Sequence, residues 1–287
     1  MHRNLSASTF RRRVRAAWLQ WRFRPALRTV RSFVLFIGYP RSGHTLIAAL
    51  LDAHPNMVFA NGLDAGRHFQ QGFSARAVAA LSIQNSLRFT RHGRRSNGFD
   101  YTVPGGAHGT WSRLEVVGDK SGDLLSERLV SNSGLLDRIL GDLDEQARFI
   151  HVLRNPYDCI ATIAARGAGN LQAAAAHFFG LCEANLRARA MVPRARWHDI
   201  RLEALIAEPD PELSRLCGFL RVDPGADYLA ACRRLIFAEP RRSRERVSWS
   251  PALIAEIESR VGRYPWFAGY AFDDRGGDRG AEMLRRA

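Results

Sequence analysis

Hydrophobic positions along the chain alternate between short continuous runs and longer stretches of helical spacing. Residues 33–37 form an apolar run, Phe-Val-Leu-Phe-Ile, rich in β-branched and aromatic side chains and stopped by Gly38. Such a run predicts a strand buried on both faces, as parallel strands are. A turn-rich loop follows, then residues 46–53 with helical character. Two further strands are predicted, at residues 114–117 before Gly118 and at 148–153. The latter leads into a helix starting near Pro156, where a proline fits the first helical turn. Residues 171–191 read as a long alanine-rich helix with Phe178, Phe179, Leu181 and Leu186 spaced for one face. A short strand is predicted near 197–202. Helices are predicted over 210–220, over 249–261 with Pro251 near its start, and over 75–89 with Ser74 as N-cap.

Strands alternating with helices predict an α/β domain with a mainly parallel central sheet and flanking helices. The 287 residues suffice for one such domain with decoration. The division expected is a basic N-terminal arm over 1–32 and the α/β domain over 33–287. The glycine-rich and basic stretch 62–112 is read as an insertion over the sheet's active edge, the expected place of acceptor recognition.

Charge changes this picture in one respect. The net charge is +14, and nine arginines with no acid fall within residues 1–32, leaving a modest excess elsewhere that suits an anionic ligand. Zinc-finger spacing, a helix-turn-helix pattern and RNP-type aromatics are not found, so the charge is not read as a nucleic-acid signature. Trp18, Leu19, Trp21 and Phe23 lie among the arm's arginines as in a membrane-surface helix, against the plainer reading of a frayed extension. Cys159, Cys182, Cys217 and Cys232 stand singly, with no C-x-x-C pair and no metal-ligand spacing. Together with the lack of a membrane span or signal peptide, they point to a reduced, cytoplasmic setting.

Residues 38–45, Gly-Tyr-Pro-Arg-Ser-Gly-His-Thr, have the outline G-x-x-x-x-G-x-T between a strand and a helix. Glycines let the backbone curl until several N–H groups face one anion, and the helix adds its positive end. The nucleotide P-loop carries lysine before the final Ser/Thr; here that position is His44, and the cation sits inside the loop at Arg41. A second anion motif is predicted where Arg154 ends a strand and Thr162 and Arg166 lie four apart on the next helix. Lys120 is the single lysine among 42 basic residues, three residues past the predicted strand 114–117.

Residues 40–46, continuing to Leu51-Asp52-Ala53-His54-Pro55, resemble the 5′-phosphosulfate loop of sulfotransferases, particularly bacterial members resembling tyrosylprotein sulfotransferases. The strand end Arg154-Asn155-Pro156-Tyr157-Asp158 with Thr162 is similar to the family's 3′-phosphate site. Residues 117–121, 201–209 and 241–249 with Gly269-Tyr270 resemble three weaker family segments. The resemblance covers residues 33–273 and implies a three-layer P-loop-like sandwich that moves a sulfuryl group from PAPS (3′-phosphoadenosine 5′-phosphosulfate) to a hydroxyl without a metal ion, leaving PAP. It implies that Arg41 and the backbone of Ser42, Gly43, His44 and Thr45 hold the 5′ end. Arg154, Thr162 and Arg166 would hold the 3′-phosphate, assisted by Ser243 and Arg246, and Lys120 would stabilise developing charge.

Relatives carry an acid shortly after the His-Pro turn, where this chain has Gly62, so their base does not carry over. Asp64 is the candidate chosen here, with His68 and His108 as alternatives. A catalytically degenerate PAPS- or PAP-binding protein and a P-loop kinase remain as competing readings.

Overall fold

The computed structural model describes residues 7–274. The chain opens with helices α1 (Ala7–Arg22) and α2 (Arg24–Leu27), then strand β1 (Ser32–Gly38) and helix α3 (His44–Asp52). Strand β2 (Met57–Asn61), helices α4 (Ala65–Gln70) and α5 (Ala75–Arg91), and a hairpin of β3 (Arg95–Ser96) and β4 (Phe99–Asp100) follow. Next come β5 (Val116–Lys120), α6 (Gly122–Ser131), α7 (Leu135–Leu143), β6 (Ala147–Leu153), α8 (Pro156–Ile163) and α9 (Leu171–Met191). Strand β7 (Trp197–Arg201), α10 (Leu202–Ala207), α11 (Pro209–Leu220), α12 (Ala226–Arg233) and α13 (Pro251–Val261) complete the fold.

Five strands form one sheet in the order β2-β5-β1-β6-β7, every neighbouring pair parallel. β1 is central, and its residues alternate between two cores, as the two-residue period of a strand requires. Phe33, Leu35 and Ile37 pack with α1, α5, α6 and α7 on one face, while Val34 and Phe36 pack with α3, α11 and α12 on the other. These are the three layers expected from the sequence. A third apolar cluster, around Tyr39, Phe178 and Phe267, joins α8, α9 and α13 near Leu153 at the carboxyl end of β6. After β1 the chain builds β2 and β5 on one side and then β6 and β7 on the other. That reversal opens a crevice at the carboxyl end of β1, where ligands of open α/β sheets bind.

Two expectations are corrected. The strand predicted at 114–117 does not stop at Gly118 but runs from Val116 through it to Lys120. A Cβ on Gly118 would lie 2.3 Å from the Phe59 ring, so the glycine makes room for the neighbouring strand rather than ending its own. From residue 7 onward the N-terminal segment is not a frayed extension either. Within residues 7–27 it is helical, and Ala16, Leu19 and Phe23 are buried in the main core. Among the described residues no helix is long and apolar enough to cross a membrane.

Candidate active site

The loop between β1 and α3 is shaped by two left-handed residues, Arg41 (φ 67°) and Gly43 (φ 105°). Ser42 is fully buried, and its hydroxyl donates to the Tyr39 carbonyl at 2.9 Å, pinning the curl from inside. The side chain of Ser42 is thus structural, while Gly43, His44 and Thr45, at the helix start where amides have no intrahelical acceptor, line the crevice. His44 wedges its ring between Gly38 and Gly122, where added Cβ atoms would lie 3.0 and 2.3 Å from its Nε2. Burial pushes its pKa down to about 4, so the imidazole is neutral at pH 7. His44 shapes the loop and supplies no fixed charge.

Lys120, at the end of β5, lines the same crevice. Burial lowers its pKa from the ordinary lysine value, opposed chiefly by the carboxylates of Asp123 and Asp119. Asp119 is itself buried and accepts from the amides of Leu63 at 3.0 Å and Ala65 at 2.7 Å. The β5 end and the turn after β2 are therefore locked together.

Arg154 reaches across from β6. Its guanidinium donates to the Arg41 carbonyl at 2.9 Å, to the Arg241 carbonyl, and to Ser243 Oγ at 3.3 Å. Its buried Nε has no partner. Thr162 lies on α8 and Arg166 on the turn that follows, and both line the crevice, as their spacing predicts. In this structure the Thr162 hydroxyl donates back to the Asp158 carbonyl at 2.8 Å.

The C-terminal segment is anchored by groups that lie within the motifs named above but to which the sequence assigned no role. Arg244 pairs with Asp158 at 2.6 Å, and both are buried. Glu203 accepts from the Asn155 amide at 2.9 Å and from the Tyr270 hydroxyl at 2.7 Å. Three segments far apart in sequence thus meet at one carboxylate. Burial raises the Glu203 pKa, and these donors oppose it. The resulting cleft, about 460 Å³, is lined by Arg41, Arg154, Arg166, Arg241, Arg246 and Lys120, with Asp123 as its single acid among the described residues.

One rim of the cleft is aromatic. Asn97 (φ 52°) and Gly98 (φ 82°) make the tight turn of the β3–β4 hairpin, which presents Phe99 and Tyr101 to the opening. Phe99 meets Phe237 edge-on at 5.9 Å, and the Arg241 guanidinium lies 4.7 Å from the Phe99 ring centre. The Asn-Gly pair was the available signal for this hairpin.

The candidate bases fall elsewhere. Both Asp64 oxygens are held by Arg128, one of them at 2.7 Å, and one also caps the Arg67 amide at 3.2 Å. His68 Nδ1 bonds the Asp64 carbonyl at 3.0 Å. His108 is buried, with Nε2 accepting from the Val103 amide at 2.8 Å and Nδ1 3.6 Å from Asp52. None of the three lines the cleft. Gly62 has φ 75°, a left-handed conformation that disfavours a side chain there. Asp123, in the first turn of α6 three residues after Lys120, is half-buried and lines the cleft. The sequence reading passed over it, although a carboxylate three residues after the sole lysine was the signal.

Residues 34–224 match the model of the sulfotransferase family. No curated protein matches the chain. Among solved structures, the sulfotransferase domain from the curacin biosynthetic pathway is 17% identical, covering 90% of this chain and 97% of its own, with a TM-score of 0.46. Sulfotransferase STF9 from Mycobacterium avium is 14% identical over 91% of this chain and 82% of its own, at 0.46. Mouse sulfotransferase SULT7A1, complexed with PAP, is 12% identical over 92% and 93%, at 0.44. At these scores the structural likenesses carry none of the argument. The assignment rests on the family match.

Proposed function

Because the chain belongs to the sulfotransferase family, we propose that it transfers a sulfuryl group from PAPS to the hydroxyl of an acceptor held at the aromatic rim. One observation carries this reading: five arginines and the only lysine converge on one cleft whose described residues include a single acid. Such a balance fits a polyanionic nucleotide, and the partnerless Nε of Arg154 offers it a donor.

PAPS supplies the activated sulfuryl group. The α3 amides and Arg41 hold its 5′ end, and Arg154, Thr162, Arg166 and Arg246 hold the 3′-phosphate. Sulfuryl transfer resembles phosphoryl transfer, in which charge spreads over equatorial oxygens while the attacking and leaving oxygens lie in line. Lys120 then stabilises the charge that develops during transfer. The acceptor proton needs a base, and Asp123 takes the place that Asp64 cannot fill. Phe99, Tyr101 and Phe237 favour an acceptor with apolar or aromatic surface beside its hydroxyl.

The test is transfer of radiolabelled sulfuryl from PAPS to a panel of phenolic, sugar and lipid hydroxyls with a chelator present. Label transfer that disappears in Lys120→Ala supports the reading. PAP binding without transfer to any acceptor would favour a degenerate binding protein. Activity appearing only with ATP and Mg²⁺ would favour a kinase.

A further inference from the structure

Helix α1 has two faces with different surroundings. Ala16, Leu19 and the adjoining Phe23 are buried in the main core, and Arg13 donates to the Gln71 carbonyl at 2.8 Å with its guanidinium 5.2 Å from the Phe73 ring centre. These contacts fix how the helix sits on the body. The outward face carries Phe10, Val14, Trp18 and Trp21, exposed by 62, 54, 50 and 72%. Their spacing of four, four and three residues makes one continuous stripe on a helix of 3.6 residues per turn. Arg11, Arg15 and Arg22, all exposed, repeat one residue later and form a parallel row along one flank. Arg22 also lies 5.4 Å from the Trp18 ring centre. The first acidic residue in the chain is Asp52, so no carboxylate precedes it to neutralise that row.

We propose that this face is a docking surface for an anionic phospholipid bilayer. Indole rings favour the headgroup boundary, where one edge is apolar and the other wet, and guanidinium groups beside them meet lipid phosphates. The inward contacts hold the stripe outward and in one orientation, so the body lies on the membrane in a defined pose. A second copy of the chain fits less well, because two-fold pairing of the stripes brings arginine-rich flanks together with no acid on the helix to offset them. The proposal is independent of the reading of the cleft.

The experiment is co-sedimentation of the full chain with vesicles of phosphatidylcholine alone, and with vesicles containing about one-third phosphatidylglycerol, at about 0.1 M salt. Tryptophan emission is recorded in parallel. The expected result is sedimentation with the anionic vesicles, a blue shift, and little binding to the neutral ones. Trp18→Ser/Trp21→Ser and Arg11→Gln/Arg15→Gln/Arg22→Gln should each lower partitioning at least tenfold. Their melting temperatures should stay close to the parent, because all five side chains are exposed. Binding that ignores lipid charge, or survives both variants, overturns the proposal. So does a concentration-dependent dimer that the tryptophan variant abolishes, which would make the stripe an interface between copies.

Discussion

The guanidinium of Arg154 donates to the main-chain carbonyl of Arg41 at 2.9 Å, joining two loops whose residues are 113 positions apart. The same side chain holds the carbonyl of Arg241 and the hydroxyl of Ser243. One cation therefore organises the β1 loop, the β6 end and the C-terminal segment before it meets any ligand. Arg154→Ala should weaken PAP binding by about 10- to 100-fold, the equivalent of one lost charge-assisted hydrogen bond of ~1.5–3 kcal/mol. Titration calorimetry checks this. A lysine at the same place should not restore the affinity, since it cannot reproduce the planar fork that reaches several acceptors.

Asp123 and Asp64 are separated by what holds them. Asp123→Asn should lower kcat by about 10²–10⁴ while leaving PAP affinity within a few-fold, as expected on losing a base that acts only on the acceptor. Asp64→Asn should instead lower the melting temperature, because it breaks the pair with Arg128 and weakens the cap on α4. Its kcat should hold. Reversed effects in the two variants would restore Asp64 as the base.

Lys120 titrates below the ordinary lysine value because burial disfavours its charged form. The free protein carries the needed charge below that depressed pKa and loses it above. The prediction is an alkaline fall in kcat/KM centred below about 10.4. Lys120→Arg should flatten this limb, since guanidinium does not titrate there, at reduced kcat. A pH–rate profile of the two proteins is sufficient.

His44 links pH to stability. Its folded pKa is about 4, against ~6.5 for an unperturbed histidine. Between these values the unfolded chain binds more protons, so stability rises with pH across the window and is lost as pH falls from about 6.5 toward 4. The expected loss is about 3 kcal/mol, several degrees in melting temperature for a chain of this size. His198, also pushed down to about 4 by burial, acts in the same window. The diagnostic quantity is therefore the slope difference between the parent and His44→Gln, with the variant flatter.

The Glu203 clamp predicts a coupling between distant segments. Tyr270→Phe leaves one oxygen of a half-buried carboxylate short of a donor and should cost about 1 kcal/mol in denaturant unfolding. It should also weaken PAP binding, because the C-terminal segment that carries Arg246 is tethered there.

The legible features were those that local chemistry dictates. The buried run 33–37, the glycine curl around Arg41, the Arg154 strand end and the Thr162–Arg166 spacing all lie where the sequence places them. What escaped depends on tertiary context. Strand β2 was not read, because Met57-Val58-Phe59-Ala60 is short and follows a turn without a strong boundary. The strand end at Lys120 was set too early because Gly118 reads as a breaker, and only its neighbour Phe59 reveals it as a close-packing site. Asp64 looked available in sequence, yet its partner Arg128 lies 64 residues away. Whether a carboxylate is free or already engaged is a property of the folded chain, and the choice between Asp64 and Asp123 turned on it.

The central claim is that the cleft binds a 3′-phosphorylated adenine nucleotide. Its most direct test is calorimetric titration of the metal-free protein with PAP and, separately, with adenosine 5′-monophosphate, which lacks the 3′-phosphate. The account predicts tight PAP binding and at least tenfold weaker binding of the monophosphate, with Arg154→Ala erasing most of the difference. Equal affinity for both nucleotides, or no PAP binding without Mg²⁺, would contradict it.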